Sequence, residues 1–454
     1  MGGHRPATPL HQSCDRDQII AMDRIRWINH AGFELQTEGL RIVCDPWLHG
    51  LVFSQSWALL SETRFQPSDF RGVDYIWFSH EHPDHFSTAS LRSIPPDIRG
   101  SITILFQKTQ DGRVAKFCRD LGFAAVRELE DWERVDLGRG VAITVKTVDD
   151  DSFCLIETPS HRYLNINDCV SVDVRKFHQG IAKRIGSPDV LLTQFSFANW
   201  AGNPDEPEAA GKLAYGKIQE IEAQLHAYAP KVLIPCASFV WFCRAENFHL
   251  NAASNRISAI YEAFSQAVKC VVLYPGDEYE VGAPHDSTEA LRRYAMDEAR
   301  HTQPLEVDEP PVSREELTAL SIGHQKMMSA QNAMWCFFPL RLAGFIKPIS
   351  VYLTDLNLSL NYSMFGGIRW EPMPRQECDI EFASGAMAQM LRFGTGYDTL
   401  YISGRFKENR LGSRFALSKN FVVSRRNERG QFFPGAFFDG DRIRRQFGLF
   451  RQKA

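Results

Sequence analysis

Asp74-Tyr75-Ile76-Trp77-Phe78-Ser79-His80-Glu81-His82-Pro83-Asp84-His85 is the stretch on which the fold turns. Its apolar start reads as a strand, so the residues from Ser79 onward stand at a strand's carboxyl end, in an irregular turn. His80, His82, Asp84 and His85 place four potential ligands within six positions. In such a turn, alternate side chains can be aimed at two neighbouring points. Imidazole suits zinc or iron, and carboxylate suits harder, more oxophilic ions. Two metals held about 3.5–4 Å apart can share a bridging oxygen. Polar residues gathered by chance on a surface loop are the competing reading, and the spacing disfavours it.

Outward from this turn the chain alternates short β segments with helices. RIRWINHAGFELQT from Arg24 reads as one strand, followed by a turn at Glu38-Gly39 and a second strand ending at Asp45-Pro46. SITILFQ (101–107), VAITVKTV (141–148), SFCLIET (152–158), RYLNIND (162–168), VLLTQFS (190–196) and KVLIPCASF (231–239) read as further strands. TASLRSIP (88–95), GRVAKFCRDLGF (112–123) and GKLAYGKIQEIEAQLHAY (211–228) read as helices, the last from apolar residues recurring at three and four. Residues 23–285 are therefore expected to form an α/β sandwich, two sheets flanked by helices, after a disordered leader at 1–22. The polar, proline-bearing segment 286–312 reads as a connector. Residues 313–454 read as a smaller α+β module. Its first helix starts with Ser313 as N-cap and Glu316 completing a capping box. KPISVYLTDLNLSLNYSMF and DTLYISGRFK read as strands there, with SGAMAQMLRFG as a helix.

Composition narrows the function classes. The 454 residues carry 51 basic and 55 acidic side chains, a net charge of −4, which argues against nucleic acid as a partner. With 44% apolar residues and 32 phenylalanines the chain can bury a large core. The 10 cysteines sit singly, with no CxxC pair, so free buried thiols are expected rather than a disulfide set. A polar N-terminus without an apolar segment gives no secretion signal, and a cytoplasmic location is expected. The longest apolar stretch, from Ala333, contains Arg341, Lys347 and two prolines, so a packed element is expected there and no membrane span.

The HEHPDH run, together with HAGFEL and DPW, resembles the metallo-β-lactamase fold, an αββα sandwich. CDPWLHGLVFSQSWALL, DYIWFSHEHPDHFS, YLNINDCVS, VLLTQFSFANWAG and VLIPCASFVWF are similar to the metal-binding portion of the cytidine-monophosphate-N-acetylneuraminate hydroxylase family. DTLYISGRFK is similar to that family's C-terminal part. The family also carries a Rieske iron–sulfur module with Cys-x-His pairs, a pattern this sequence lacks, so electrons would come from a separate reductase or ferredoxin. The resemblance implies a ligand set. Asp45 resembles the acid that orients a ligand histidine, and Asp168 matches the bridging carboxylate. Where the fold supplies a histidine before the SFCLIE strand, this chain has Asp149-Asp150-Asp151. Asp149 or Asp150 is the expected ligand, with Asp151 as the turn acid. Near the fold's last histidine stands Arg244, which cannot ligate, so Glu246, His249 or solvent would serve. His30 either faces the site or belongs to the core.

Replacing imidazole by carboxylate hardens a site and favours iron or manganese over zinc. With the hydroxylase resemblance, this implies a di-iron enzyme that activates dioxygen to hydroxylate or oxidise a small or carrier-bound substrate. In that expectation Asp84 and Asp168 are catalytic. His80, His82 and Asp149 hold one iron, and Asp84, His85 and Glu246 or His249 hold the other. A metallohydrolase acting on a phosphodiester, lactone or amide through a metal-bridged hydroxide is the alternative, with zinc or manganese in place of iron. Trp47, Phe53, Trp57, Phe197, Trp200 and Trp241 either line a pocket or form ordinary core. Asn199 and Trp200, in the loop before Gly202, are the expected substrate contacts. The C-terminal module either completes the pocket or forms a homodimer surface.

Overall fold

In β1 (Arg24–Asn29) Ile25 and Trp27 point into the core while Arg24 faces solvent, the alternation of a half-buried strand. The computed structural model to which this strand belongs describes residues 22–169 and 173–437. Cys14 and all but the last residue of the expected leader lie outside the described residues. The segment read as one strand over 24–37 is instead a hairpin. His30 takes φ 47° and turns the chain into β2 (Gly32–Thr37), which leads through Glu38-Gly39 into β3 (Leu40–Cys44). Gly32 permits this turn, because a Cβ there would stand 3.0 Å from the Asp45 carbonyl oxygen.

The chain continues through β4 (Trp57–Leu59), β5 (Tyr75–Trp77), β6 (Thr103–Gln107), β7 (Ala125–Leu129), β8 (Arg134–Gly138), β9 (Val141–Val148), β10 (Asp151–Glu157) and β11 (Arg162–Asn167). Then come β12 (Val190–Gln194), β13 (Val232–Cys236), β14 (Val240–Phe242), β15 (Lys269–Cys270) and β16 (Glu278–Glu280). Two seven-stranded sheets result, ordered β16-β1-β2-β3-β5-β6-β7 and β15-β13-β12-β11-β10-β9-β8, with β4 and β14 as a separate ribbon. Trp27, Phe33, Ile42 and Trp77 of the first sheet pack against Ile143, Val145, Ile156 and Ile234 of the second. Each large apolar side chain removed from water there contributes about 1.5–3 kcal/mol. Helices Thr88–Ser93 and Arg113–Leu121 cover the outer face of the first sheet through Leu91, Val114 and Cys118. Helices Val174–Ile185 and Pro207–Tyr228 cover the second, with Ile181, Ile221 and Tyr228 buried. The architecture is the expected αββα sandwich.

The direction of strand pairing decides where the functional residues fall. β3, β5 and β6 run parallel to one another, as do β11, β12 and β13. The carboxyl ends of β3, β5 and β11 and the start of β10, which is antiparallel to β11, therefore gather at one end of the sandwich.

The C-terminal part contains a five-stranded sheet built from β17 (Ile349–Leu353), β18 (Leu358–Ser363), β19 (Gly367–Trp370), β20 (Ile380–Phe382) and β21 (Lys407–Glu408), in the order β19-β18-β17-β20-β21. Two sequence expectations change here. DTLYISGRFK lies largely in the helix Gly396–Ser403, and only its last residue enters a strand, the two-residue β21. Tyr397, Leu400 and Ser403 are buried at three-residue spacing, and Gly404 (φ 68°) ends the helix. The segment expected as a connector holds the helix Thr288–Arg300, whose Tyr294 is fully buried and stacks on Phe239 at 4.4 Å. Among the described residues no helix is long and apolar enough to cross a membrane, and nine cysteines are free.

Ser313 caps the helix Arg314–Gln331, its hydroxyl accepting from the Glu316 N–H at 3.1 Å. Ser313→Ala is expected to cost about 1 kcal/mol. Thermal unfolding monitored by circular dichroism checks this; a melting temperature equal to that of the parent protein would show the cap to be idle.

Candidate metal centre

Four backbone turns aim the polar side chains of this site. Asp45 follows β3 at φ 40°, Asn167 closes β11 at φ 57°, and His30 and Ala237 also take positive φ. Non-glycine residues in this region carry strain that tends to collect at functional sites. Asp45 is fully buried and anchors the turn after β5. Its carboxylate accepts from the Ser79 N–H at 2.8 Å, the Ser79 hydroxyl at 2.7 Å and the Asn167 amide, and it lies 3.1 Å from His85 Nδ1. That last contact fixes the ring so that Nε2 points into the site, as the sequence reading expected of Asp45.

Two ligand groups face each other across Asp168. His80, His82 and Asp168 form one, and His30, Asp84 and His85 form the other. His80 Nε2 and His82 Nδ1 converge to 2.8 Å. Asp168 Oδ2 lies 3.7 Å from His80 Nε2 and 3.6 Å from His85 Nε2, midway between the groups. Asp84 Oδ2 lies 3.4 Å from His85 Nε2 and 3.3 Å from His30 Nε2. His85 Nε2, Asp84 Oδ1, Asp168 Oδ1 and both nitrogens of His30 are buried without a hydrogen-bond partner among the described residues. Each such orphaned group costs about 1–3 kcal/mol. A cation in each group would satisfy them, so the residues present fit a pair of metal ions.

Electrostatics agree with a cation-binding set. Burial alone would raise Asp84, but His85 and His30 draw its carboxyl well below the usual range. Burial opposes protonation of His85, yet Asp84, Asp168 and Asp45 together hold its pKa well above the ordinary value. Burial lowers His30, His80 and His82. Burial, followed by the charge of Asp168, pushes Asp151 up to about 7. His30, His80 and His82 are thus favoured in the neutral form that ligands need, whereas His85 and Asp151 would release protons as a cation binds.

The three adjacent acids divide differently from the sequence expectation. Asp151, expected as the turn acid, lies 3.9 Å from His80 Nε2. Asp149 and Asp150, expected as ligands, are exposed in the turn between β9 and β10. Asp149 takes φ 54°, and the Asp150 carboxylate is paired with Arg429. The hairpin sets this division: its tip faces solvent, and the first residue of β10 is carried toward the site.

Glu246 and His249 also part from expectation. Glu246 pairs with Arg405 at 2.8 Å, and His249 Nε2 lies 3.1 Å from the Gly202 carbonyl oxygen. Neither belongs to the two ligand groups. Arg244 and Arg405 both reach Glu309, at 3.1 and 2.8 Å, so this region is an ion-pair cluster joining the sandwich to the C-terminal part. Trp200, expected to touch substrate, stacks on Phe406 at 4.9 Å and donates Nε1–H to its carbonyl oxygen, inside the C-terminal core. Asn199 Oδ1 is buried without a partner. Of the aromatic residues, Phe53 lies 5.6 Å from the His82 ring and Trp47 5.6 Å from the His30 ring, whereas Trp241 stacks on His301.

Residues 24–155, which span β1 to most of β10, match the family model described as beta-lactamase superfamily domain. The chain carries a metallo-β-lactamase fold. Among curated relatives, a protein named as a Rieske 2Fe-2S iron–sulfur protein from Mycobacterium tuberculosis is 26% identical over 241 residues, covering 49% of this chain and 45% of that one. Cytidine monophosphate-N-acetylneuraminic acid hydroxylase from Cricetulus griseus is 29% identical over 160 residues, covering 32% of this chain and 27% of its own length. The chain thus spans less than half the length of these curated relatives. Among solved structures, CmlA, a diiron β-hydroxylase from Streptomyces venezuelae, aligns with TM-score 0.40 and 17% identity over 57% of this chain and 54% of that one. A possible metal-dependent hydrolase from Veillonella parvula aligns with TM-score 0.40 and 15% identity over 57% of this chain and 100% of that one.

His30 and Asp151 are the two site-facing residues that sequence reasoning did not assign. For His30 the available signal was His-Ala-Gly interrupting an otherwise continuous strand pattern.

Proposed function

We propose that this chain is a di-iron enzyme that uses dioxygen to hydroxylate or oxidise a small or carrier-bound substrate. The observation that carries the reading is Asp151, a carboxylate facing His80 where the fold would otherwise offer imidazole. With Asp84 and Asp168 it gives the site three carboxylates, a donor set suited to iron or manganese rather than zinc. The hydroxylase and Rieske names of the relatives support the same direction.

Two irons at the site would supply the redox chemistry by which one oxygen atom enters a C–H bond and the other leaves as water, with two electrons and two protons from a separate reductase or ferredoxin. The chain's own residues do the rest. Asp168 faces both groups and would fix their separation. His80, His82 and Asp151 would hold one cation, and Asp84 and His85 the other. Asp45 keeps the His85 ring aimed inward, and the Phe53 ring packs beside His82, shielding that side from water.

Protein prepared anaerobically and reconstituted with ferrous iron is expected to hold two irons per chain and to consume dioxygen when given a reduced ferredoxin. Two tightly bound zincs with turnover of a phosphodiester, lactone or amide would establish the hydrolase instead. Asp151→His provides a sharper comparison. It restores imidazole, and is expected to raise the bound zinc-to-iron ratio by about tenfold from an equimolar mixture and to suppress dioxygen consumption. An unchanged ratio, measured by elemental analysis, removes the argument from the carboxylate.

A further inference from the structure

We propose that His30, at the tip of the β1–β2 hairpin, is a direct ligand of the cation held by Asp84 and His85, replacing the ligand that Arg244 cannot provide. This inference rests on the metal-centre reading above.

The hairpin positions this ring through its backbone. The His30 N–H donates to Asn29 Oδ1 at 2.9 Å, and the His30 carbonyl accepts from the Ala237 N–H at 2.9 Å. Asn29 is itself pinned, its amide donating to the Ser61 carbonyl at 2.8 Å and the Thr63 hydroxyl at 2.9 Å. A two-residue turn with positive φ favours glycine or asparagine, so histidine brings no advantage to the turn itself. What it brings is an imidazole, 1% exposed, wedged between Trp47 and His85 with ring centroids at 5.6 and 5.5 Å.

Among the described residues neither nitrogen of that ring has a hydrogen-bond partner. Nε2 is 3.3 Å from Asp84 Oδ2 but out of hydrogen-bonding alignment, and it shares a 4.8 Å neighbourhood with ligand atoms of Asp84 and His85. A histidine serving only as core filling would leave Nδ1 unpaired, at about 1–3 kcal/mol, and Nε2 with only the misaligned contact to Asp84. A cation between Nε2, Asp84 and His85 removes one of these penalties and completes a group with Asp168. Nδ1 finds no acceptor, unlike His85 Nδ1 beside Asp45, so the ring is held by its turn and by packing alone. His30 should therefore contribute less to affinity than His85.

Cobalt(II) titration of the full-length metal-free chain tests the assignment, read by calorimetry and by the visible absorption of the bound ion. The parent protein is expected to bind two cobalt ions. His30→Ala and His30→Gln are both expected to keep one ion tightly and to bind the other about 100-fold more weakly, with altered visible bands, whereas His85→Ala should weaken it further. His30→Gln is the informative variant, because its amide keeps a polar group beside Asp84 but ligates poorly. Unchanged affinity for both ions in His30→Gln makes His30 a positioning residue for Asp84 and overturns the ligand role while leaving the metal centre intact. A parent protein that binds no cobalt overturns the metal centre and this assignment with it. Should His30→Ala unfold, melting of the metal-free proteins identifies that, and His30→Gln alone carries the decision.

Discussion

Asp168→Asn is expected to release both cations and to lower turnover at least about a thousandfold, a loss of roughly 4 kcal/mol of barrier reduction. The reason is its position. One carboxylate oxygen, Oδ2, lies 3.6 Å from His85 Nε2 and 3.7 Å from His80 Nε2, while the other has no hydrogen-bond partner. Among the described residues no other carboxylate contacts a histidine of each group in this way: Asp151 approaches His80, and Asp84 approaches His30 and His85. Asparagine keeps the shape but loses the charge that would offset two neighbouring cations, and it presents N–H groups on one side. Alanine at His80 and His82 together should empty only one position. Elemental analysis separates the cases: two metals retained in Asp168→Asn would refute the shared-carboxylate arrangement, whatever happens to turnover.

The parts of the fold legible in the sequence were those governed by local pattern. Strands such as Val190–Gln194 and helices such as Arg113–Leu121 announce themselves by apolar runs and helical periodicity between turn residues. The HEHPDH turn was legible because its ligands are contiguous in the chain. Misreadings arose where tertiary packing overrides local pattern. Gly396–Ser403 has the composition of a strand, yet burying Tyr397 and Leu400 on one face selects the helix. Thr288–Arg300 is polar on most faces, and its apolar contact is narrow: Ala290 and Tyr294 dock it, with Asp297 buried beside them.

The remaining site residues needed the third dimension. Asp149, Asp150 and Asp151 are equivalent as a string of acids, and only the β9–β10 hairpin register distinguishes the one that turns inward. Treating 24–37 as a single strand placed His30 mid-strand, where alternation says nothing about a ligand role. The hairpin puts it at the same end of the sandwich as β3, β5 and β11. Glu246 and His249 lie close in sequence to the expected position but are drawn into the contacts with Arg405 and Gly202. Trp200 looked like a loop aromatic because its partner, Phe406, is 206 residues away.

Asp45→Ala is expected to destabilise the metal-free protein by about 3–5 kcal/mol, because it strands several buried donors at once. The Ser79 N–H, the Ser79 hydroxyl and the Asn167 amide all donate to this carboxylate, and His85 Nδ1 lies 3.1 Å from it. Asp45 is fully buried, so bulk solvent does not replace the lost acceptor. Asp45→Asn separates stability from ligation. It retains one acceptor oxygen for the turn after β5 but turns an amide N–H toward donors, so a smaller destabilisation is expected. The His85 ring, freed from its charged neighbour, should still bind a cation about 10–100-fold more weakly. Urea unfolding of the metal-free proteins and cobalt titration of each variant read the two effects independently. Destabilisation below about 1 kcal/mol in Asp45→Ala would mean that the turn carrying the ligands is held by packing rather than by this buried carboxylate.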